Sequence, residues 1–239
     1  MKPAQFALNM LAAVSAAEKE TIMIKESDRA DIKTVAGMRI LYVMATEAEY
    51  LDSLRSRFRP LISQVGPVEA ALNVSGYLSA HGQVDLVVCL GSAGSARLEQ
   101  AQVYQVSDVS YRDMDASPFG FEKGVTPFSN LPATIDVGMA IDGLPTASIS
   151  TGANVISGEH YHAIDADMVD METWAVMRAC HSAEVPMIGL RGISDGAHPV
   201  AEYSDWTRYL HVIDERLGDA VDRLETALVS GRLHPALPR

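Results

Sequence analysis

The residues best able to do chemistry sit at the ends of two apolar runs, Met168-Val169-Asp170-Met171-Glu172 and Leu190-Arg191-Gly192-Ile193-Ser194-Asp195. Each run reads as a buried strand ending in acid, and a third acid, Glu49, follows the run Arg39-Ile40-Leu41-Tyr42-Val43-Met44-Ala45. A buried strand delivers its last residues to the carboxyl edge of a sheet, where open α/β folds bind their ligands. Carboxyl groups held there are candidates for a functional role. The same acids could instead only cap the helices that follow them. Glu47 competes with Glu49 for the position that faces the sheet edge.

The elements that must position these acids alternate between strand and helix. After the strand at 39–45 comes an amphipathic run over 47–58, then Gly66-Pro67 as punctuation, a helix over 70–81 and a buried strand over 85–90. That strand runs into Gly91-Ser92-Ala93-Gly94, expected to be a glycine-rich turn whose N–H groups can approach an anion or a sugar hydroxyl. Its spacing is neither that of a P-loop nor that of a dinucleotide fingerprint. Further strands are expected over 104–111 and 146–150, a loop over 117–132, and a helix over 173–182. Leu210, Ile213, Leu217, Val221 and Leu224 keep helical spacing and predict the closing helix. The alternation predicts an α/β fold with a largely parallel sheet.

With 239 residues and 48% hydrophobic content the chain can bury one large core, so a single domain is expected over 38–230, with a tail at 231–239. A net charge of −12 supplies no basic field for a polyanion, which excludes nucleic acid and anionic membrane as expected partners. Cys89 and Cys180 fall in apolar or helical patterns and read as small buried hydrophobes in a reducing, cytoplasmic setting. The short apolar stretch at 6–14 is interrupted by Asn9, follows Pro3 and Gln5, and runs into Glu18-Lys19-Glu20; residues 1–37 are expected to be a helical extension rather than a signal peptide. Glu159-His160-Tyr161-His162 has metal-binding residue types but no further ligand at a recognisable spacing, so it reads as a surface loop and no metal is expected. Trp206 and Tyr209 follow the Pro199 loop at helical spacing, as core residues often do.

Taken together, Ala45-Thr46-Glu47-Ala48-Glu49, Gly91-Ser92-Ala93-Gly94, Val169-Asp170-Met171-Glu172 and Arg191-Gly192-Ile193-Ser194-Asp195 resemble, in order and approximate spacing, the nucleoside phosphorylase and nucleosidase superfamily. Within it the chain is most similar to the 5'-methylthioadenosine/S-adenosylhomocysteine nucleosidases. Tyr111-Arg112-Asp113-Met114-Asp115, running into Phe119-Gly120-Phe121, is similar to that family's Tyr-His-Asp-x-Asp and Phe-Gly-Tyr. The likeness covers 38–228.

This resemblance implies a three-layer sandwich, a central mixed but mostly parallel sheet flanked by helices. It implies release of adenine by hydrolysis of an N-glycosidic bond, within methionine salvage. Asp195 would be the acid that protonates the departing purine and Glu49 the base that activates water. Ser92 would order that water, Glu172 would accept ribose hydroxyls, Met171 would pack on the sugar and Arg191 would support Glu172. Val155, Ile156, Asp170, Ser194 and Trp206 would complete the substrate site, Trp206 beside the 5' substituent. No cofactor is implied, because side chains suffice to protonate the base and to stabilise the sugar cation. A small purine nucleoside is the implied ligand, and a homodimer, with the loop 112–121 reaching the partner's pocket, the implied assembly.

The chain departs from the family in three places. Thr151-Gly152-Ala153-Asn154-Val155 stands where relatives usually show Ser-Gly-Asp-x-Phe, so a stacking ring is replaced by Val155 at a cost of about 1 kcal/mol. Segments 51–66 and 128–145 are shorter than in relatives. A phosphorylase would need a cationic phosphate clamp, for which Arg112 is the one candidate, and would be repelled by Glu49. A hydrolase of another purine nucleoside such as futalosine, and a binding protein without catalysis, are the remaining alternatives; three acids are more than binding needs.

Overall fold

β4 (Leu86–Gly94) and β9 (Met187–Asp195) form the centre of the protein, each an almost unbroken run of buried residues. Runs of this kind require both faces of the strand to be covered. The computed structural model describes residues 30–196 and 203–237. Most of the expected helical extension and the Pro199 loop lie outside the described residues. The end of that extension is not helical: Ile32–Val35 forms β1, paired antiparallel with β2 (Met38–Met44).

The remaining strands are β3 (Leu61–Ile62), β5 (Val103–Tyr111), β6 (Thr134–Asp136), β7 (Thr146–Thr151) and β8 (Met168–Asp170), all in one nine-stranded sheet. β2, β3, β4 and β9 run parallel to one another, and β5, β7 and β8 form a second parallel group. The groups meet antiparallel at β5–β9 and at one pair between β4 and β8, Gly94↔Val169. The sheet is therefore mixed and mostly parallel, as expected.

Among the described residues five α-helices accompany it: α1 (Asp52–Arg55), α2 (Pro67–His81), α3 (Thr173–Ser182), α4 (Tyr203–Thr207) and α5 (Leu210–Val229). The apolar stripe of α5 is buried at all five expected positions. It packs on β9, where Ile213 fills the space above Gly192, while the neighbouring Arg191 reaches the first residue of α3. Successive residues of a strand point to opposite faces, so α3 and α5 cover opposite sides of β9 and complete three layers. α2 in turn packs against α3.

Two expected elements change form. Gly91-Ser92-Ala93-Gly94 is no turn; it continues β4 to the strand's end, because every residue of it has a partner on β9. The amphipathic run at 47–58 breaks into a 3-10 turn at Glu47–Glu49 and the four-residue α1. Phe58 leaves helical register to stack on Tyr42, with ring centroids 3.9 Å apart. Asp214, buried on α5, holds the break: its carboxylate accepts N–H groups from Leu51 (3.0 Å), Ser53 (2.8 Å) and Leu54 (3.4 Å). One side chain thus satisfies most of the free donors at the start of α1.

Asp214→Ala strands those three donors, and is expected to lower unfolding free energy by about 2–4 kcal/mol in urea titrations. A loss under about 1 kcal/mol would show that Asp214 does not hold the segment after Glu49.

Candidate active site

The expected site residues gather along the last four residues of β4. In the sheet register Gly91 lies opposite Arg191, and Gly94 lies opposite both Asp195 and Val169. Because β8 runs antiparallel to β4, residues 170–172 turn back along β4 to the level of Arg191. Acids from strands of opposite direction meet in this way, rather than along one carboxyl edge.

Glu49 ends the 3-10 turn and is 7% exposed, whereas Glu47 points outward towards Arg55 at 3.8 Å; the competition between them resolves to Glu49. Glu49 Oε1 accepts from Ser92 N (2.8 Å) and Ser92 Oγ (2.5 Å). Trp206 Nε1 donates to the same Ser92 Oγ at 2.9 Å. A serine hydroxyl has a single proton, so the indole N–H above leaves that proton aimed at Glu49. Burial pushes the Glu49 carboxyl upward from its ordinary pKa, opposed by the two Ser92 donors and the Arg191 charge.

Arg191 is 2% exposed and donates through one nitrogen to Thr173 Oγ1 (2.8 Å), Asp170 Oδ2 (3.1 Å) and Cys89 Sγ (3.1 Å). Gly91 leaves room for this approach: a Cβ there would stand 3.0 Å from Glu49 Oε2 and 3.2 Å from the Arg191 guanidinium. Asp170 also accepts from Thr151 Oγ1 (2.6 Å), Thr173 N (2.8 Å) and Thr173 Oγ1 (2.5 Å). Expected as a substrate ligand, Asp170 is instead consumed by internal partners, anchoring the start of α3 and the Arg191 charge. Arg191 supports Glu172 through its field, not by a direct bond: Glu172 Oε1 accepts from Gly66 N at 2.8 Å. Burial, reinforced by the Asp170 charge, pushes Glu172 up to about 7. Met171 beside it is half-buried.

Asp195 ends β9. Ser194 Oγ donates to its Oδ1 at 2.5 Å, and the Tyr161 hydroxyl lies 3.4 Å from its Oδ2. Burial raises its pKa, opposed by these two donors. Tyr161 belongs to Glu159-His160-Tyr161-His162, expected as a surface loop. Glu159, His160 and His162 are exposed, but Tyr161 is buried, packed with Ile156 and Val169. Only the lone aromatic in that polar stretch signalled an inward side chain.

The departing segment 151–156 presents Val155 outward, 67% exposed, and Ile156 inward. Arg112 and Asp113 clamp it: the guanidinium donates to Asn154 O (2.8 Å), Asp170 O (3.0 Å) and Ser150 O, and Asp113 Oδ2 accepts from Ala153 N at 2.5 Å. Arg112 is therefore spent on backbone carbonyls. Among the described residues no cluster of His, Cys, Asp or Glu could hold a metal ion.

The family model described as the Phosphorylase superfamily matches residues 11–224 of this chain. The chain is 29% identical over 207 residues to the 5'-methylthioadenosine/S-adenosylhomocysteine nucleosidase of Bacillus subtilis, covering 77% of this chain and 85% of the relative. The Campylobacter jejuni enzyme of the same name superposes with a TM-score of 0.69 at 21% identity, covering 80% of this chain and 100% of that one. Futalosine hydrolase of Helicobacter pylori superposes with a TM-score of 0.67 at 21% identity, covering 80% and 97%.

The electrostatics of Glu172 are testable through stability. Its folded pKa lies above the ordinary 4.5, so the folded state binds the extra proton between about 4.5 and 7 and loses stability as pH rises through that window. Glu172→Gln cannot ionise. It is expected to match wild type near pH 4.5 and to exceed it by up to about 3 kcal/mol at pH 8 in urea unfolding. An equal difference at both pH values would show that Glu172 is not strained by its charge.

Proposed function

The chain belongs to the phosphorylase superfamily, and we propose that it hydrolyses the N-glycosidic bond of 5'-methylthioadenosine, S-adenosylhomocysteine or both, releasing adenine and the 5-substituted ribose. The observation that carries this reading is the pairing of two differently held carboxyl groups beside β4. Burial raises both; Asp195, with no cation among the groups acting on it, is the acid, and Glu49, whose ionised form Arg191 and the two Ser92 donors favour, is the base.

Departure of a purine leaves an oxocarbenium-like sugar, so the site must neutralise the base, hold the ribose and direct water. Asp195 gives its proton towards the purine ring. Glu49 takes one from water, a task for the Oε2 atom that Ser92 leaves free. Glu172 accepts ribose hydroxyls and Met171 packs on the sugar. Ile156 and the backbone of 152–156 face the base. Stabilisation confined to the transition state is what raises the rate.

Water is favoured over phosphate because Arg112 and Arg191, cations beside the site, direct terminal guanidinium nitrogens to internal acceptors. A phosphate arriving there would meet Glu49 and Glu172. We also place the protein in a reducing cytoplasm, in agreement with two free buried cysteines, and within methionine salvage. Among the described residues no helix is long and apolar enough to cross a membrane. A homodimer is supported by Phe119, 85% exposed in the loop that would reach the partner's pocket.

Adenine release from 5'-methylthioadenosine in phosphate-free buffer, followed by chromatography, tests the activity. Wild type is expected to release adenine, and Glu49→Gln and Asp195→Asn each to lose roughly 100- to 10,000-fold in kcat. Trp206→Phe keeps an aromatic side chain, though a smaller one, and removes the N–H; a loss of about tenfold in kcat is expected. Inert wild type would overturn the reading, and release from futalosine or only with phosphate would replace it. Sedimentation at twice the chain mass checks the dimer.

A further inference from the structure

Tyr161 is the described side chain from outside β9 that touches Asp195, and its surroundings are built to hold it there. The ring is fixed by Ile156, Val169 and the half-buried Ile164. The hydroxyl occupies a notch at Gly94, where a Cβ would lie 2.2 Å from it and 2.9 Å from Asp195 Oδ2. No residue other than glycine at the end of β4 leaves room for both groups. Ser194 meanwhile occupies the other oxygen, Oδ1.

We propose that Tyr161 is a positioning residue for the leaving-group acid, holding Asp195 Oδ2 by a hydroxyl that accepts from the neutral carboxyl and donates to the carboxylate left after proton transfer. This rests on the assignment of Asp195 as the acid. A phenol has one proton and free lone pairs, so it serves both protonation states by rotating its O–H, with no movement of heavy atoms. A general acid needs such a partner. A fixed donor would favour the anion and weaken the acid's readiness, whereas no partner would leave a buried charge unsupported once the proton has gone.

The groups facing this pair are few among the described residues. Ser194 comes from β9 itself, Tyr161 from the 3-10 segment Gly158–Ala163, and Arg112 from the end of β5 acts on Tyr161. Burial and the Asp195 charge both raise the Tyr161 pKa, so the phenol stays protonated through the neutral range and the carboxyl is the group of the pair that titrates. The Tyr161 donor lowers the Asp195 pKa against burial. Removing it raises that pKa.

Tyr161→Phe tests this, because the ring packing on Ile156 and Val169 is retained. The expected result is a five- to fiftyfold loss in kcat with KM within twofold of wild type. The alkaline limb of the kcat profile, set by loss of the acid's proton, moves upward by about half a pH unit or more. The Asp195 carboxyl, identified in 13C spectra by its loss in Asp195→Asn, titrates higher by a similar amount in Tyr161→Phe than in wild type without any substrate. An unchanged kcat, or an unchanged limb and carboxyl titration, would overturn the proposal. The spectroscopic arm separates it from the functional reading: if wild type releases no adenine, the nucleosidase reading fails, while the carboxyl titration still decides whether Tyr161 governs Asp195.

Discussion

One buried cation makes the site possible. Arg191 lies in the middle of the sheet with Asp170 in direct contact and Glu49 and Glu172 within its field. Carboxylates placed out of water without such a partner would neutralise themselves or unfold the protein. The guanidinium does not earn its place as a net stabiliser, because desolvation of a buried ion pair offsets much of its attraction. Its value is geometric: a planar group on β9 reaches β4, β8 and the start of α3 at once. Removing either Arg191 or Asp170 would leave the other charge stranded where three elements meet.

The glycines of β4 follow from the same requirement. Gly91 lets the Arg191 and Glu49 side chains pass close above the strand, and Gly94 makes the notch for Tyr161 and Asp195. Side chains at these two positions would push apart the pairs that meet there. A motif expected to be a glycine-rich turn is thus a strand end, with its small residues serving close approach rather than conformational freedom. Glu172 lowers stability in its place beside these residues, because burial and the Asp170 charge disfavour its ionised form.

Support for the site comes from further away than its contacts suggest. Asp214 on α5 holds the chain just after Glu49, so the long C-terminal helix fixes the position of Glu49, the base in the proposed function. Arg112 and Asp113 at the end of β5 fix the backbone of 152–154, beside the purine in the proposed function. In place of the family's aromatic, this chain offers an exposed Val155 on a clamped backbone.

The apolar runs before Asp170 and Asp195, the stripe on the closing helix and the α/β class were legible in the sequence, because burial periodicity is a local property of neighbouring residues. The superfamily was legible too, since its short motifs retain their order. What only the tertiary structure decided were matters of direction and distance. Asp170, at the end of β8, is taken up by Thr151, Thr173 and Arg191, partners that lie 3 to 21 positions away in the chain. The reach of Asp214 across more than 150 positions breaks the helix expected after Glu47. Tyr161 turns inward from a polar stretch because space exists beside Gly94, and no pattern in residues 159–162 records that space. Periodicity states which residues are buried; which partners they meet is settled by strands and helices far apart in the chain.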